Sequence, residues 1–275
     1  MNSRDALPLA TARHLTRDLQ ELGLRPGSIL MLHASLRSVG WVVGGPDVLL
    51  SAIRCVLGAD GTLCMYVGWN DSTYEMASWS PERQRAYLEE SPPFDPATSR
   101  AAAMWGVLTE HLRTTPGARR SSHPESSLAA VGARADWLTR DHPLQHGFGP
   151  GSPLARVVEA EGDVLLLGSP RGAVTLLHYA EYLAHLPGKR VVHYRVPMVV
   201  RGERVWCDVE ELDSVGGIVP WHREGYGNDY FAAIVDDYLA RGRGRTGRVG
   251  AAEAHLFDAA DLTEFGARWM ERHLR

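Results

Sequence analysis

The chain has 275 residues, of which 44% are hydrophobic and 23% charged, with a formal net charge of −4. That length allows one large or two modest domains with ample core. The mildly acidic balance excludes the basic footprint of a nucleic-acid binder, while leaving room for a locally acidic cleft that attracts cations.

The opening Met1-Asn2-Ser3-Arg4-Asp5 has no apolar signal core, and no apolar run reaches about 18 residues, so a soluble cytoplasmic chain without membrane contact is expected. Leu9, Ala12, Leu15, Leu19 and Leu22 recur at helical spacing and predict an amphipathic helix over residues 8–23. The run Ser28-Ile29-Leu30-Met31-Leu32 predicts a buried strand, and a polar loop follows from His33 to Gly45. Pro46-Asp47 opens a second helix to about Leu57, and Thr62 to Val67 is the next strand. Cys55 and Cys64 lie in these apolar runs as small core residues, and with Cys207 they show no CxxC spacing, so neither a zinc nor a disulfide framework is indicated.

Residues 68–100 read as a long polar segment, too long for an ordinary connector and therefore a functional-loop candidate. Trp105 to Leu112 returns to helix, and Ser126 to Val131 and Val164 to Gly168 are strands. Val191 to Val200 and Arg204 to Glu211 alternate as antiparallel strands joined at Arg201-Gly202-Glu203. Tyr230 to Leu239 and Leu262 to His273 close the chain as helices. Strands alternating with helices predict an α/β fold: a three-layer α-β-α sandwich with a mostly parallel central sheet. Residues 190–230 form a possible smaller antiparallel subdomain within a single domain.

Three features carry chemistry. The loop His33-Ala34-Ser35-Leu36-Arg37-Ser38-Val39 follows a strand, where backbone N–H groups, hydroxyls and a guanidinium can cradle phosphate. No GxGxxG or P-loop is present, so a solvated loop fits equally. In Thr175-Leu176-Leu177-His178-Tyr179-Ala180-Glu181 a hydroxyl, an imidazole and a carboxylate stand three apart. On a helix of about 3.6 residues per turn they share one flank. That arrangement fits a carboxylate-oriented base beside an oxyanion donor, and it fits a salt-bridged helix face as well. No second HxxE and no HExxH is present, so no metal is expected. Finally, Trp69, Asp71, Tyr74, Glu75, Asp95, His123, Glu125, Glu210, Glu211 and Asp213 place carboxylates among aromatics on irregular segments. Such sets suit a polyhydroxylated polycation.

The ordered set Met31-Leu32-His33-Ala34-Ser35-Leu36-Arg37-Ser38, Gly68-Trp69-Asn70-Asp71-Ser72, Pro93-Phe94-Asp95-Pro96, Ser121-Ser122-His123-Pro124-Glu125, Gly151-Ser152-Pro153 and Thr175 to Glu181 resembles the aminoglycoside 3-N-acetyltransferase family. The match runs from about residue 10 to the end. It implies acetyl transfer from acetyl-CoA to the 3-amino group of a 2-deoxystreptamine antibiotic, on a scaffold distinct from the common GNAT acetyltransferases. By the resemblance, His178 is the general base, Glu181 its partner or a drug contact, and Thr175 the oxyanion donor. His33, Ala34, Ser35, Leu36, Arg37, Ser38, Val39 and Ser152 would hold CoA. Trp69, Asp71, Tyr74, Glu75, Asp95, His123, Glu125, Glu181 and Asp213 would hold the antibiotic. The pattern leaves monomer and homodimer open.

Two departures are visible. The family's Asp-Ser-Asn-Gly-Ile-Leu reads here Asp213-Ser214-Val215-Gly216-Gly217-Ile218, and its Ser-Ala-His-Pro-Asp ends here in Glu125. Competing readings are an acetyltransferase of another amine, a protein that sequesters aminoglycosides without catalysis, and a serine hydrolase using Ser35 or Ser152. The last lacks a GxSxG elbow.

Overall fold

A computed structural model describes residues 8–274. In chain order, β1 (Leu9–Ala10) leads to α1 (Ala12–Leu22), β2 (Ile29–Ala34), α2 (Leu36–Val39), β3 (Trp41–Val42), α3 (Pro46–Leu57) and β4 (Thr62–Tyr66). Next come α4 (Pro81–Glu90), α5 (Val107–Thr114), β5 (Arg119–Arg120), β6 (Leu128–Gly132), α6 (Ala135–Thr139), α7 (Pro153–Glu159) and β7 (Asp163–Leu167). The remainder is α8 (Leu177–Leu183), β8 (Val191–Val200), β9 (Glu203–Leu212), α9 (Tyr230–Ala240), β10 (Arg245–Val249), β11 (Ala252–Asp258) and α10 (Ala259–His273).

The central sheet has seven strands in the order β10-β11-β7-β2-β4-β6-β5. Parallel pairing is confined to β7-β2-β4, and the outer contacts are antiparallel. The expectation of a mostly parallel sheet therefore holds for strand direction and not for pairing: only β6 and β11 run against the other five. Side chains alternate between faces with the strand period of two. Ile29, Met31, Cys64, Leu128, Val164 and Leu166 enter one core beneath α7, α8, α9 and α10. Leu30, Leu32, Leu63, Met65, Leu165 and Leu167 enter the other, beneath α1, α3 and α5. This double-sided burial explains why the central strands read as continuous apolar runs. A third, smaller core joins Trp69 and Phe94 to Tyr194, Val196 and Val209 of the β8-β9 hairpin.

Local chemistry sets the boundaries. The Thr11 hydroxyl caps α1 by accepting from the His14 N–H at 3.3 Å, and Gly23 ends it with φ 92°. The expected helix over 8–23 is shorter for that reason, and Leu9 and Ala10 pair instead with Trp41 and Val42. Arg201 and Gly202 both take positive φ, 53° and 86°, the geometry of a two-residue hairpin turn. The polar segment 68–100 is not loop throughout, because Ser80 caps the helix α4 inside it. Strands β10 and β11 were not expected from the sequence. No helix among the described residues is long and apolar enough to cross a membrane.

Candidate active site

The carboxyl ends of β2, β4 and β7 point to one edge of the sheet, where open α/β folds bind ligands. A cavity of about 520 Å³ opens there. Tyr66 at the end of β4 and the segment carrying Trp69, Ser72, Tyr74 and Glu75 form one wall. Glu125, Ser126, Phe148 and Glu211 form another, and Thr175 and His178 complete the lining.

His178 lies on α8, and its Nδ1 donates to Glu181 Oε2 at 2.7 Å. The other carboxylate oxygen, Oε1, accepts from the Tyr230 hydroxyl. With Nδ1–H committed to a carboxylate, Nε2 is the ring nitrogen that carries a lone pair toward the cavity. Phe148 stacks on the imidazole at 4.8 Å and Phe231 meets it edge-on at 4.7 Å, so the ring is fixed in plane as well as in tautomer. Glu181 is 1% exposed and does not line the cavity, so its oxygens serve His178 and Tyr230. The three residues do not share one helix: α8 starts at Leu177, and Thr175 lies before it. There the Thr175 carbonyl accepts from the His178 N–H at 3.0 Å.

The carboxylates in the lining are Glu75, Glu125 and Glu211. Glu211 Oε1 accepts from the Ser126 hydroxyl at 2.9 Å and the Gly147 N–H at 3.1 Å, and Oε2 accepts from the Tyr194 hydroxyl at 2.8 Å. Burial pushes its pKa up, and these hydrogen bonds partly offset the shift. Glu125 Oε2 accepts from the Ser72 hydroxyl at 2.7 Å, whereas Oε1 is buried with no partner among the described residues. Burial raises Glu125 from 4.5 to about 7; the Ser72 bond works against that shift and the charge of Glu211 reinforces it.

The sign of this shift is testable. Between pH 4.5 and about 7 the folded chain keeps a proton on Glu125 that the unfolded chain has released. Stability from this group is thus complete below the unfolded value and is lost as pH rises through the folded one. Glu125→Gln cannot ionise, so its melting temperature should gain on that of the native chain as pH climbs through the window. A difference that stays constant across it would mean that Glu125 titrates as an ordinary carboxylate.

Thr175 also lines a second, small pocket. This pocket, of about 90 Å³, shares Tyr66, Trp105, Ala173 and Thr175 with the cavity and adds His33 and Ala34. Ser169 also lines a third pocket, of about 370 Å³, together with Ser38, Gly168 and Arg171. The loop 33–39 is thereby divided. His33 and Ala34 line the small pocket and Ser38 the third one, Val39 is core, and Leu36 packs against the core. The Ser35 hydroxyl is turned inward, accepting from the Ser38 N–H at 3.4 Å and from the Ser38 hydroxyl at 2.9 Å. Arg37 is exposed and lines none of the three pockets. Nor does Ser152: fully buried, its hydroxyl caps α7 by accepting from the Ala155 N–H at 3.2 Å.

A family profile described as aminoglycoside 3-N-acetyltransferase matches residues 31–271. The chain belongs to the aminoglycoside 3-N-acetyltransferase family. It is 46% identical over 261 residues to aminoglycoside N(3)-acetyltransferase III of Pseudomonas aeruginosa, covering 95% of this chain and 93% of the relative. The crystal structure of aminoglycoside acetyltransferase AAC(3)-Xa superposes with a TM-score of 0.93 at 48% identity, covering 97% of this chain and 94% of that one. The structure of AAC-IIIb in binary complex with CoASH superposes with a TM-score of 0.89 at 46% identity, covering 96% of this chain and 97% of the other.

Several residues expected to hold the drug in this acetyltransferase do not line the cavity. Asp71 stands half-buried beside it. Asp95 organises its own turn, accepting from the Ala97 N–H at 2.9 Å and the Thr98 hydroxyl at 3.0 Å. Asp213 accepts from the Val215 and Gly216 N–H groups at 3.1 and 2.7 Å. His123 is fully buried, held well below the ordinary histidine value, at about 4, by burial, and its Nε2 donates to the Leu144 carbonyl at 3.1 Å. Its Nδ1 accepts from the Ser126 N–H. Sequence reasoning missed Tyr230 and Phe148, and it read Glu211 as loop charge; the alternation of β9 held a signal for Glu211, which shares its face with the buried Val209. Val215, at the family's asparagine position, is exposed on the cavity rim, replacing an amide with an apolar group there.

Proposed function

We propose that this chain transfers the acetyl group of acetyl-CoA to the 3-amino group of a 2-deoxystreptamine aminoglycoside, as a cytoplasmic single-domain resistance enzyme. The observation that carries the reading is a wide cavity whose lining holds three glutamates and a histidine that a buried carboxylate orients as a proton acceptor. His178 and Thr175 line a wide cavity with acidic residues, and Thr175 also lines the small pocket beside it. A polycation in the cavity and an acyl donor in the small pocket would meet at Thr175, one short helical step from His178.

Acetyl-CoA supplies an activated acetyl thioester beside Thr175 and His178. The acceptor amine is mostly protonated at neutral pH and must lose a proton to attack. His178 Nε2 takes that proton, and Glu181 steadies the resulting imidazolium through Nδ1–H. The Thr175 hydroxyl donates to the acyl oxygen as negative charge grows on it. His178 then returns its proton to the leaving thiolate. Glu75, Glu125 and Glu211 hold the remaining ammonium groups, while Trp69 and Tyr74 frame the sugar faces.

The sequestering alternative predicts binding without turnover. Mixing the protein with acetyl-CoA and a gentamicin-type or kanamycin-type compound should release free thiol only when both are present. Drug binding without thiol release across such a panel would defeat the enzymatic reading, and thiol release only with other amines would move it to a different acceptor.

A further inference from the structure

His142 is buried and does not line the cavity. Its Nε2–H donates to the Gly147 carbonyl at 2.6 Å, which leaves Nδ1 to accept from the Ser121 hydroxyl at 2.9 Å. The Ser121 oxygen accepts in turn from the Leu128 N–H at 3.0 Å, so this chain of bonds ends on β6 of the central sheet. Burial, reinforced by the neighbouring His123, holds the His142 ring neutral, at about 3. Neutral imidazole has one donor and one acceptor nitrogen, and both are used here. The Gly147 N–H is committed as well, to Glu211 Oε1. Gly147 has no slack, since a Cβ there would come within 2.7 Å of both Glu211 Oε1 and His123 Nε2. Just before it His146 holds a left-handed φ of 54°, a conformation that costs a non-glycine residue energy and persists when its surroundings impose it. Just after it Phe148 lies on the His178 imidazole at 4.8 Å, with the two planes 13° apart.

We infer that His142 is a positioning residue for the acetyl transfer: by tying the Gly147 carbonyl to the sheet it holds Phe148 flat on His178, and so aims the base without touching either substrate. This rests on the reading above, in which His178 takes the proton. It gives a buried histidine outside the cavity a part in the reaction that acts through one ring contact.

The test reads turnover and the His178 ring together. His142→Leu keeps bulk and loses both hydrogen bonds. It should lower kcat roughly tenfold, the scale of one buried hydrogen bond, with little change in KM for either substrate. An aromatic ring stacked on an imidazole moves the imidazole's carbon-bound proton signals upfield in the NMR spectrum. The His178 signals, assigned by their absence in His178→Ala, should move downfield in Phe148→Leu and in the same direction in His142→Leu. Because both residues act through one contact, the double variant should lose little more kcat than Phe148→Leu alone. Ser121→Ala removes only the far anchor and should show the same movement at smaller size; it carries the test if His142→Leu does not fold. His178 signals unmoved in the folded variants would overturn the assignment, and so would a double-variant loss equal to the product of the single ones. If the native protein released no thiol with any acceptor, the acetyltransferase reading would fail instead. The ring signals would then still decide whether His142 positions His178.

Discussion

Replacing His178 with alanine is expected to lower turnover by about 10²–10⁴, the contribution of a positioned general base, while CoA still binds. The geometry makes the prediction specific. Nδ1 is committed to Glu181 at 2.7 Å, and the ring is clamped between Phe148 and Phe231. Only Nε2 is left to meet an amine, and no other histidine lines the cavity. The side chain sits at the cavity wall, so its removal opens space there and should not collapse the fold. Steady-state kinetics with the antibiotic varied, alongside CoA calorimetry, would separate the two effects. Turnover within a few-fold of native would remove His178 from the mechanism.

Glu181→Gln is expected to reduce turnover roughly 10²-fold, less than the loss of the base itself, with KM for both substrates little changed. The carboxylate accepts from two donors, His178 Nδ1–H and the Tyr230 hydroxyl. A glutamine presents only one acceptor oxygen, and its NH₂ must face the other group. Facing His178, it would force the tautomer with the proton on Nε2, which points a hydrogen at the amine. Facing Tyr230, it would meet a hydroxyl that already accepts from the Ile218 N–H at 3.2 Å. Either way the imidazolium loses its counter-charge. The split between kcat and KM separates this positioning role from direct drug binding: a rise in antibiotic KM with kcat unchanged would instead make Glu181 a substrate contact.

The sequence disclosed most where side-chain pattern and backbone period coincide. Runs such as Ile29 to Leu32 and Val164 to Leu167 are apolar on both faces because helices cover both sides, and a run of that kind is visible in one dimension. The hairpin of β8 and β9 was legible through alternation and the glycine turn. Arg245 to Val249 was not, because an edge strand of two exposed arginines, an exposed threonine and a glycine before its one buried valine carries no periodic apolar signal. At the site, His178 and Glu181 could be paired from spacing alone, since contacts three residues apart are local. Tyr230, 49 positions from Glu181, could not. Aspartates met the opposite difficulty: Asp95 and Asp213 look like ligand groups in sequence, yet their carboxylates satisfy nearby backbone N–H groups. A carboxylate on a loop has both options, and only the folded backbone decides between them.

The most direct test of the central claim is mass spectrometry of gentamicin-type, kanamycin-type and apramycin-type compounds after incubation with the protein and acetyl-CoA. The mechanism predicts a gain of one acetyl group, lost with His178→Ala, with fragmentation placing it on the 3-amino nitrogen of the deoxystreptamine ring. Unmodified drug throughout the panel, or acetyl on a different nitrogen, would contradict it.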